Sequence, residues 1–281
     1  EQTLKARIEN LPPNHPDTLI SQNNLAMAYR SAGRLTEAIP LMEQTLKATE
    51  EKLGPDHPNT LTGQNNLALV FESAGRLDEA LSLYEQTLKV TKEKLGLDHP
   101  HTFTSEINLA NAYTRMGRLT EALPLYEQTL KAQKEKLPPN HPNILNSQSN
   151  LAKTLIDAGR FDAVVKLIEV DLKVIDANPK SYWLTPRLRV WHGVACREAK
   201  DCTAAETSLR MGYAKLVATH ERIPPVYRVK WLFEAANETV KLYVVWGKPA
   251  LALSWRNEQA KWGGPAVAEP PEGFVPIDFK K

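Results

Sequence analysis

The apolar positions of the chain follow a helical period nested inside a longer one. Leu25, Ala26, Tyr29 and Ala32 sit at offsets of one, four and seven, which places them on one helix face. They return as Leu67, Ala68, Phe71 and Ala74, and in part as Leu109, Ala110 and Tyr113. A second set, Ala38 and Met42, returns as Ala80 and Tyr84 and as Ala122 and Tyr126. Both sets recur every 42 residues, as does the word EQTLKA at 1–6, 43–48 and 127–132, altered at 85–90 and 169–174. A period of this size predicts stacked copies of one supersecondary unit, none of which can bury its apolar face alone.

The polar punctuation repeats in step. His15, His57, His99 and His141 each precede a proline, and Gly33, Gly75, Gly117 and Gly159 each precede an arginine. Proline suits the first position of a helix, where its missing N–H has no partner to lose. Glycine suits the residue just past a helix, which often turns left-handed. The unit predicted is therefore a pair of antiparallel helices, with Ala26 and Ala38 small enough to let the two approach closely. Pro40 and Pro124 fall inside the second helix, where an interior proline costs about 3 kcal/mol. Thr36 and Thr120 are expected as N-caps, which would put both prolines in the first turn and reduce that cost.

These residues carry a resemblance. The pattern Leu25-Ala26-x-x-Tyr29, Gly33, Ala38-x-x-x-Met42 resembles a tetratricopeptide repeat (TPR), and the 42-residue length with NNLA and GPDHP resembles the kinesin light chain variety. The resemblance implies an all-α, right-handed superhelical solenoid of stacked antiparallel hairpins, working as a non-enzymatic scaffold that holds a protein or peptide in its concave groove. Relative to the ordinary repeat of about 34 residues, the extra length extends the second helix and its exit by about two turns. Residues 1–15 are expected to be part of the second helix of a preceding repeat, and 16–178 to form four hairpins. The chain then begins inside a repeat, as a fragment of a longer protein would.

Beyond Asn178-Pro179 the composition shifts, and all six tryptophans, Trp183, Trp191, Trp231, Trp246, Trp255 and Trp262, lie there. The hairpin rhythm continues, so 179–262 is expected to form two degenerate hairpins that cap the array, with 263–281 as a disordered tail. The tryptophans are read as core and cap ahead of a platform for a partner. The run Ala204-Ala205-Glu206 to Gly212-Tyr213, with Ile223-Pro224-Pro225 and Gly247-Lys248-Pro249, is similar to the C-terminal ends of bacterial proteins in which such repeats follow a serine/threonine kinase domain. That likeness implies an alternative role, a regulatory or substrate-recruiting arm of such a kinase. A third is a structural self-association module.

Composition narrows the choice further. The 35 basic and 33 acidic side chains give a net charge of +2 without long runs of one sign, which argues against nucleic acid or an anionic membrane as the partner. Two cysteines, Cys196 and Cys202, lack the spacing of a redox or zinc motif and are expected as reduced thiols of a cytoplasmic protein. The recurring histidines invite a metal, but one per repeat puts neighbours about 10 Å apart, too far to share an ion, so they read as loop structure. No phosphate-binding glycine loop or hydrolase motif occurs, and neither cofactor nor catalysis is expected.

Asparagine is the polar residue whose recurrence asks for a reason. Asn24, Asn66, Asn108 and Asn150 stand immediately before the core leucine of each first helix, although asparagine is a middling helix former. Asn23 and Asn65 precede two of them, and Asn111 and Lys153 follow one turn later. In the family this face lines the groove, and an amide offers both donor and acceptor to an extended backbone. The candidate peptide-binding residues are therefore Asn23, Asn24, Asn65, Asn66, Asn108, Asn111 and Asn150, with Arg30, Arg115 and Lys153 favouring an acidic ligand. The other reading is that each amide bonds to the adjacent repeat.

Overall fold

The computed structural model describes residues 2–12, 14–139, 141–177 and 185–263. Among them are thirteen α-helices, one 3-10 turn and no strand. The expected boundary at Asn178-Pro179, Trp183, and the expected tail from residue 264 onward lie outside the described residues.

The chain divides into two units, 1–136 and 137–281. The first holds α1 (Gln2–Asn10), α2 (Pro16–Ser31), α3 (Leu35–Leu53), α4 (Pro58–Ser73), α5 (Leu77–Leu95), α6 (Pro100–Arg115) and α7 (Leu119–Lys136). The second holds α8 (Pro142–Asp157), α9 (Phe161–Ala177), α10 (Thr185–Glu198), α11 (Cys202–Ala218), α12 (Pro225–Val245) and α13 (Pro249–Ala260).

The recurring histidines are helix caps. The Nδ1 atoms of His15, His57, His99 and His141 accept from the backbone N–H two residues on, at 3.1–3.2 Å, and a proline follows as the first helical residue. Each imidazole thus satisfies one of the four N–H groups that a helix start leaves open. Between the paired helices the turn glycine is left-handed, with φ of 75° at Gly33 and 76° at Gly75. The arginine that follows serves the same turn. Arg34, Arg76 and Arg118 stack over Tyr29, Phe71 and Tyr113 at 4.2, 4.1 and 4.5 Å and pair with Glu37, Glu79 and Glu121 three residues on. The fourth turn lacks the aromatic, since Leu155 takes its place and is buried.

The expected threonine caps are corrected here. α3 begins at Leu35 with Arg34 as its cap residue, so Pro40 is an interior residue of a continuous helix. α7 likewise begins at Leu119 and runs through Pro124. The arginine, locked between its ring and its glutamate, starts the helix two residues early. Pro40 and Thr36 are both exposed, so water reaches the carbonyl that the proline leaves unbonded.

The core sits between paired helices. Ala26, Ala38, Ala68 and Tyr84 are at or below 1% exposure, as are Ala80, Ala110, Ala122 and Tyr126. In the second unit Val164 is fully buried at the position where earlier repeats carry alanine. Tryptophan packs the last hairpins: Trp255 meets Tyr213 edge-on at 4.9 Å, and Trp262 Nε1 donates to the Tyr213 hydroxyl at 3.0 Å, tying α13 and the residues after it to α11.

Candidate functional site

In the first unit α2 touches α4 and α4 touches α6, whereas α3, α5 and α7 make no comparable contact with one another. The first helices are therefore the closer-spaced set and form the inner side of this unit's curvature. Along each runs a stripe that keeps contact with solvent: Ile20, Asn24 and Met27 on α2, Thr62, Asn66 and Leu69 on α4, Thr104, Asn108 and Asn111 on α6. The asparagine row lies on this stripe because the buried face of each helix is set by the alanines and leucines one position away.

The structure divides the candidate amides into two groups. Asn66 Nδ2 donates to Asn23 Oδ1 at 3.0 Å, and Asn65 Nδ2 donates to Ser105 Oγ at 3.0 Å in a buried contact. Both bonds join neighbouring first helices. Asn111 Oδ1 accepts from the Tyr126 hydroxyl at 2.6 Å. Asn24 is exposed and Asn108 half-buried, and neither side chain is hydrogen-bonded among the described residues. In the second unit Asn150 is half-buried on α8, and Lys153 is exposed and pairs with Asp157 at 2.6 Å.

The charged candidates centre on a carboxylate absent from the expected set. Glu72 on α4 is 8% exposed, pairs with Arg115 of α6 at 2.8 Å and lies 3.5 Å from the Tyr84 hydroxyl. Burial raises its pKa above the usual carboxylate range, with Arg115 and then the Tyr84 bond and Arg30 pulling the other way. A carboxyl whose folded pKa is raised favours folding below its unfolded pKa and loses that contribution as pH rises through the folded value. Glu72→Gln is therefore expected to raise the melting temperature at pH 7 and to match the parent near pH 4. A lower melting temperature for the variant at pH 7 would show that the Arg115 pair outweighs burial.

A cavity of about 180 Å³ opens beside the asparagine row, lined by Leu19, Ile20, Asn23, Met42, Leu46 and Gly63 among others. A Cβ on Gly63 would come to 3.1 Å from Leu46 Cδ1. Serine stands at the matching position of the other repeats, Ser21, Ser105 and Ser147, so the lone glycine is the signal in the sequence for this space.

In the second unit His192 Nδ1 lies 3.6 Å from Cys196 Sγ and 2.9 Å from Ser208 Oγ. The pair has the outline of a thiol nucleophile and base but not the electrostatics. Burial pushes the thiol up to about 11 and holds the imidazole below its usual range, so neither charges near neutral pH. No group of three or more metal-ligating side chains occurs among the described residues, and no described helix is long and apolar enough to cross a membrane.

A sequence model of the tetratricopeptide repeat matches residues 1–51, 17–93 and 101–169, together more than half of the chain. The chain belongs to the TPR family. Among solved structures it is similar to the nearly identical TPR-like repeats of a kinesin light chain from Podosopora anserina, at 29% identity over 73% of this chain and 98% of that one, with a TM-score of 0.65. Two more distant solved structures share the fold. RapI in its apo form matches at 10% identity over 92% of this chain and 66% of that one, with a TM-score of 0.64. NprR, solved in complex with its cognate peptide NprX, matches at 13% identity over 92% and 71% of the two chains, with a TM-score of 0.58. Among curated proteins none matches. A TPR array of this kind is a scaffold of helix hairpins.

Proposed function

We propose that this TPR array is a non-enzymatic protein-binding scaffold that holds an extended peptide along the inner side of its first unit. The observation that carries the reading is the pair of unbonded amides, Asn24 and Asn108, at one helical position of a solvent-facing stripe. Asn66, between them, is held by Asn23 and spaces the row. An unbonded amide on a helix that gains nothing from asparagine is accounted for by a partner with donors and acceptors of its own. The cavity beside Asn23 and Gly63 is large enough for an aliphatic side chain of that peptide, since cavities of about 150 Å³ accept a benzene ring. Arg30, near Glu72, adds a cation that favours some acidic character in the ligand. NprR, of the same architecture, was solved with a peptide bound.

The amides that serve the stack and those offered to a ligand separate by experiment. Asn24→Ala with Asn108→Ala is expected to weaken binding of display-selected peptides by about 10- to 30-fold, at about 1 kcal/mol per amide, while the melting temperature stays within about 2 °C. Asn65→Ala, which strands Ser105, is expected to lower the melting temperature instead. Unchanged peptide affinity in the double variant would remove the row from the binding surface.

A further inference from the structure

The second unit carries a half-buried cation without an ion pair among the described residues. α10 touches both α8 and α12, while α9, α11 and α13 make no comparable contact with one another, so the first helices again form the inner side. On α10, Arg187 and Trp191 stand one turn apart, as do Tyr227 and Trp231 on α12. The Arg187 guanidinium lies 4.5 Å from the ring centre of Trp231 and 5.4 Å from that of Trp191. Tyr227 stacks on Trp231 at 5.4 Å with the rings 18° apart. Trp191 is held from the other side, its Nε1 donating to Ser149 Oγ on α8 at 3.1 Å. Three helices thus fix the slot in which the guanidinium sits.

Each of the other ring-stacked arginines owns a carboxylate: Arg34 has Glu37, Arg76 has Glu79 and Arg118 has Glu121. Arg197, the buried arginine at the far end of α10, has both Glu198 and Glu238. Arg187 has neither ion pair nor hydrogen bond among the described residues, and its Nε is sealed from solvent without an acceptor. Burial holds its pKa below the usual arginine range, with Glu234 and Tyr227 countering more weakly. Glu234 does not reach it; that carboxylate's ion partner is Lys230 at 3.9 Å. Ring contact offsets only part of the cost of taking a cation out of water. What remains is a rigid, partly exposed fork of N–H donors matched in shape to a planar oxyanion.

We propose that Arg187, clamped between Trp191 and Trp231, is an anion receptor on the inner side of the second unit that takes a carboxylate of an acidic peptide. A carboxylate fits better than a phosphate monoester because one guanidinium faces it, with Glu234 nearby, whereas phosphate sites gather several cations. The inference stands apart from the first-unit amides Asn24 and Asn108, which lie on other helices and read uncharged groups.

The test uses the full chain and three fluorescein-labelled Gly/Ser decapeptides carrying two glutamates, two glutamines or two phosphoserines. The glutamate peptide is expected to bind most tightly and to shift tryptophan emission. Arg187→Gln should weaken it about tenfold, and Arg187→Lys by a comparable factor, because an ammonium keeps the charge but loses the fork. Glu234→Gln removes a competing negative charge and should tighten binding about threefold. Equal affinity for the glutamate and glutamine peptides, or an Arg187→Gln variant that binds as the parent does, would overturn the proposal. Tighter binding of the phosphoserine peptide would overturn the carboxylate assignment. Should Arg187→Gln not fold by circular dichroism, Glu234→Gln decides, and unchanged affinity there rejects the site. Asn24→Ala with Asn108→Ala leaves these outcomes where they are, so loss of the first-unit reading is distinguishable from loss of this one.

Discussion

Tyr84→Ala is expected to lower the unfolding free energy by about 3–5 kcal/mol, the largest effect of any single change considered for this chain. Tyr84 is 0% exposed on α5, and it is the second-helix counterpart of Met42 and Tyr126, both at 1%. Truncation removes the ring from a space that the surrounding helices, fixed by their own neighbours, can close only in part. It also takes from the buried Glu72 the hydroxyl that lies 3.5 Å away. A stacked array gains stability from contacts between neighbours, so a loss in a central hairpin uncouples those on either side. Urea unfolding should show a lower midpoint and a broader transition. A shift worth less than about 1 kcal/mol would mean that the hairpin collapses around the gap and that the ring is not its keystone.

Gly193→Val is expected to destabilise the second unit by about 1–3 kcal/mol through overpacking, the opposite fault. A Cβ at Gly193 would lie 2.6 Å from Leu209 Cγ and 3.0 Å from the Leu209 backbone nitrogen. Side-chain rotation could move the first atom but not the second, so α10 and α11 must separate. Leu209 is 0% exposed, and Val190, which a Cβ on Gly212 would meet at 3.0 Å, belongs to the same face, so both would lose packing. Thermal unfolding followed by tryptophan emission reads this unit, because all six tryptophans fall after residue 178. Gly193→Ala should show a smaller loss in the same direction. A valine variant as stable as the parent would mean that the helices have room to spare.

The hairpin was legible in the sequence to the level of its turns. His-Pro at each first-helix start and Gly-Arg at each turn are local devices whose partners lie within about five residues, so their meaning does not depend on where the other repeats go. The role of arginine in the turn was less visible. Its ring contact and its glutamate are three to five residues away on opposite sides, and recognising the trio takes three dimensions. That is why threonine was expected as the cap of α3 where Arg34 holds the position. Glu72 and Arg187 are not legible in the sequence for a related reason: a charge in an amphipathic helix reads as exposed until neighbouring helices cover it.

What the sequence by itself determined is the repeating unit: an all-α array with a 42-residue period, its two helices, its small close-approach residues and its glycine turns. Those follow from backbone sterics and from the spacing of apolar side chains, both local properties. What only the tertiary structure decided is which amides and charges are free. Asn66 meets Asn23 across the helix pair, whereas Asn65, the counterpart of Asn23 one repeat on, turns its amide to Ser105 and leaves Asn108 unbonded. Four asparagines equal in sequence therefore differ in the fold, because a hydrogen bond depends on the residue opposite, and that residue sits about forty positions away on another helix.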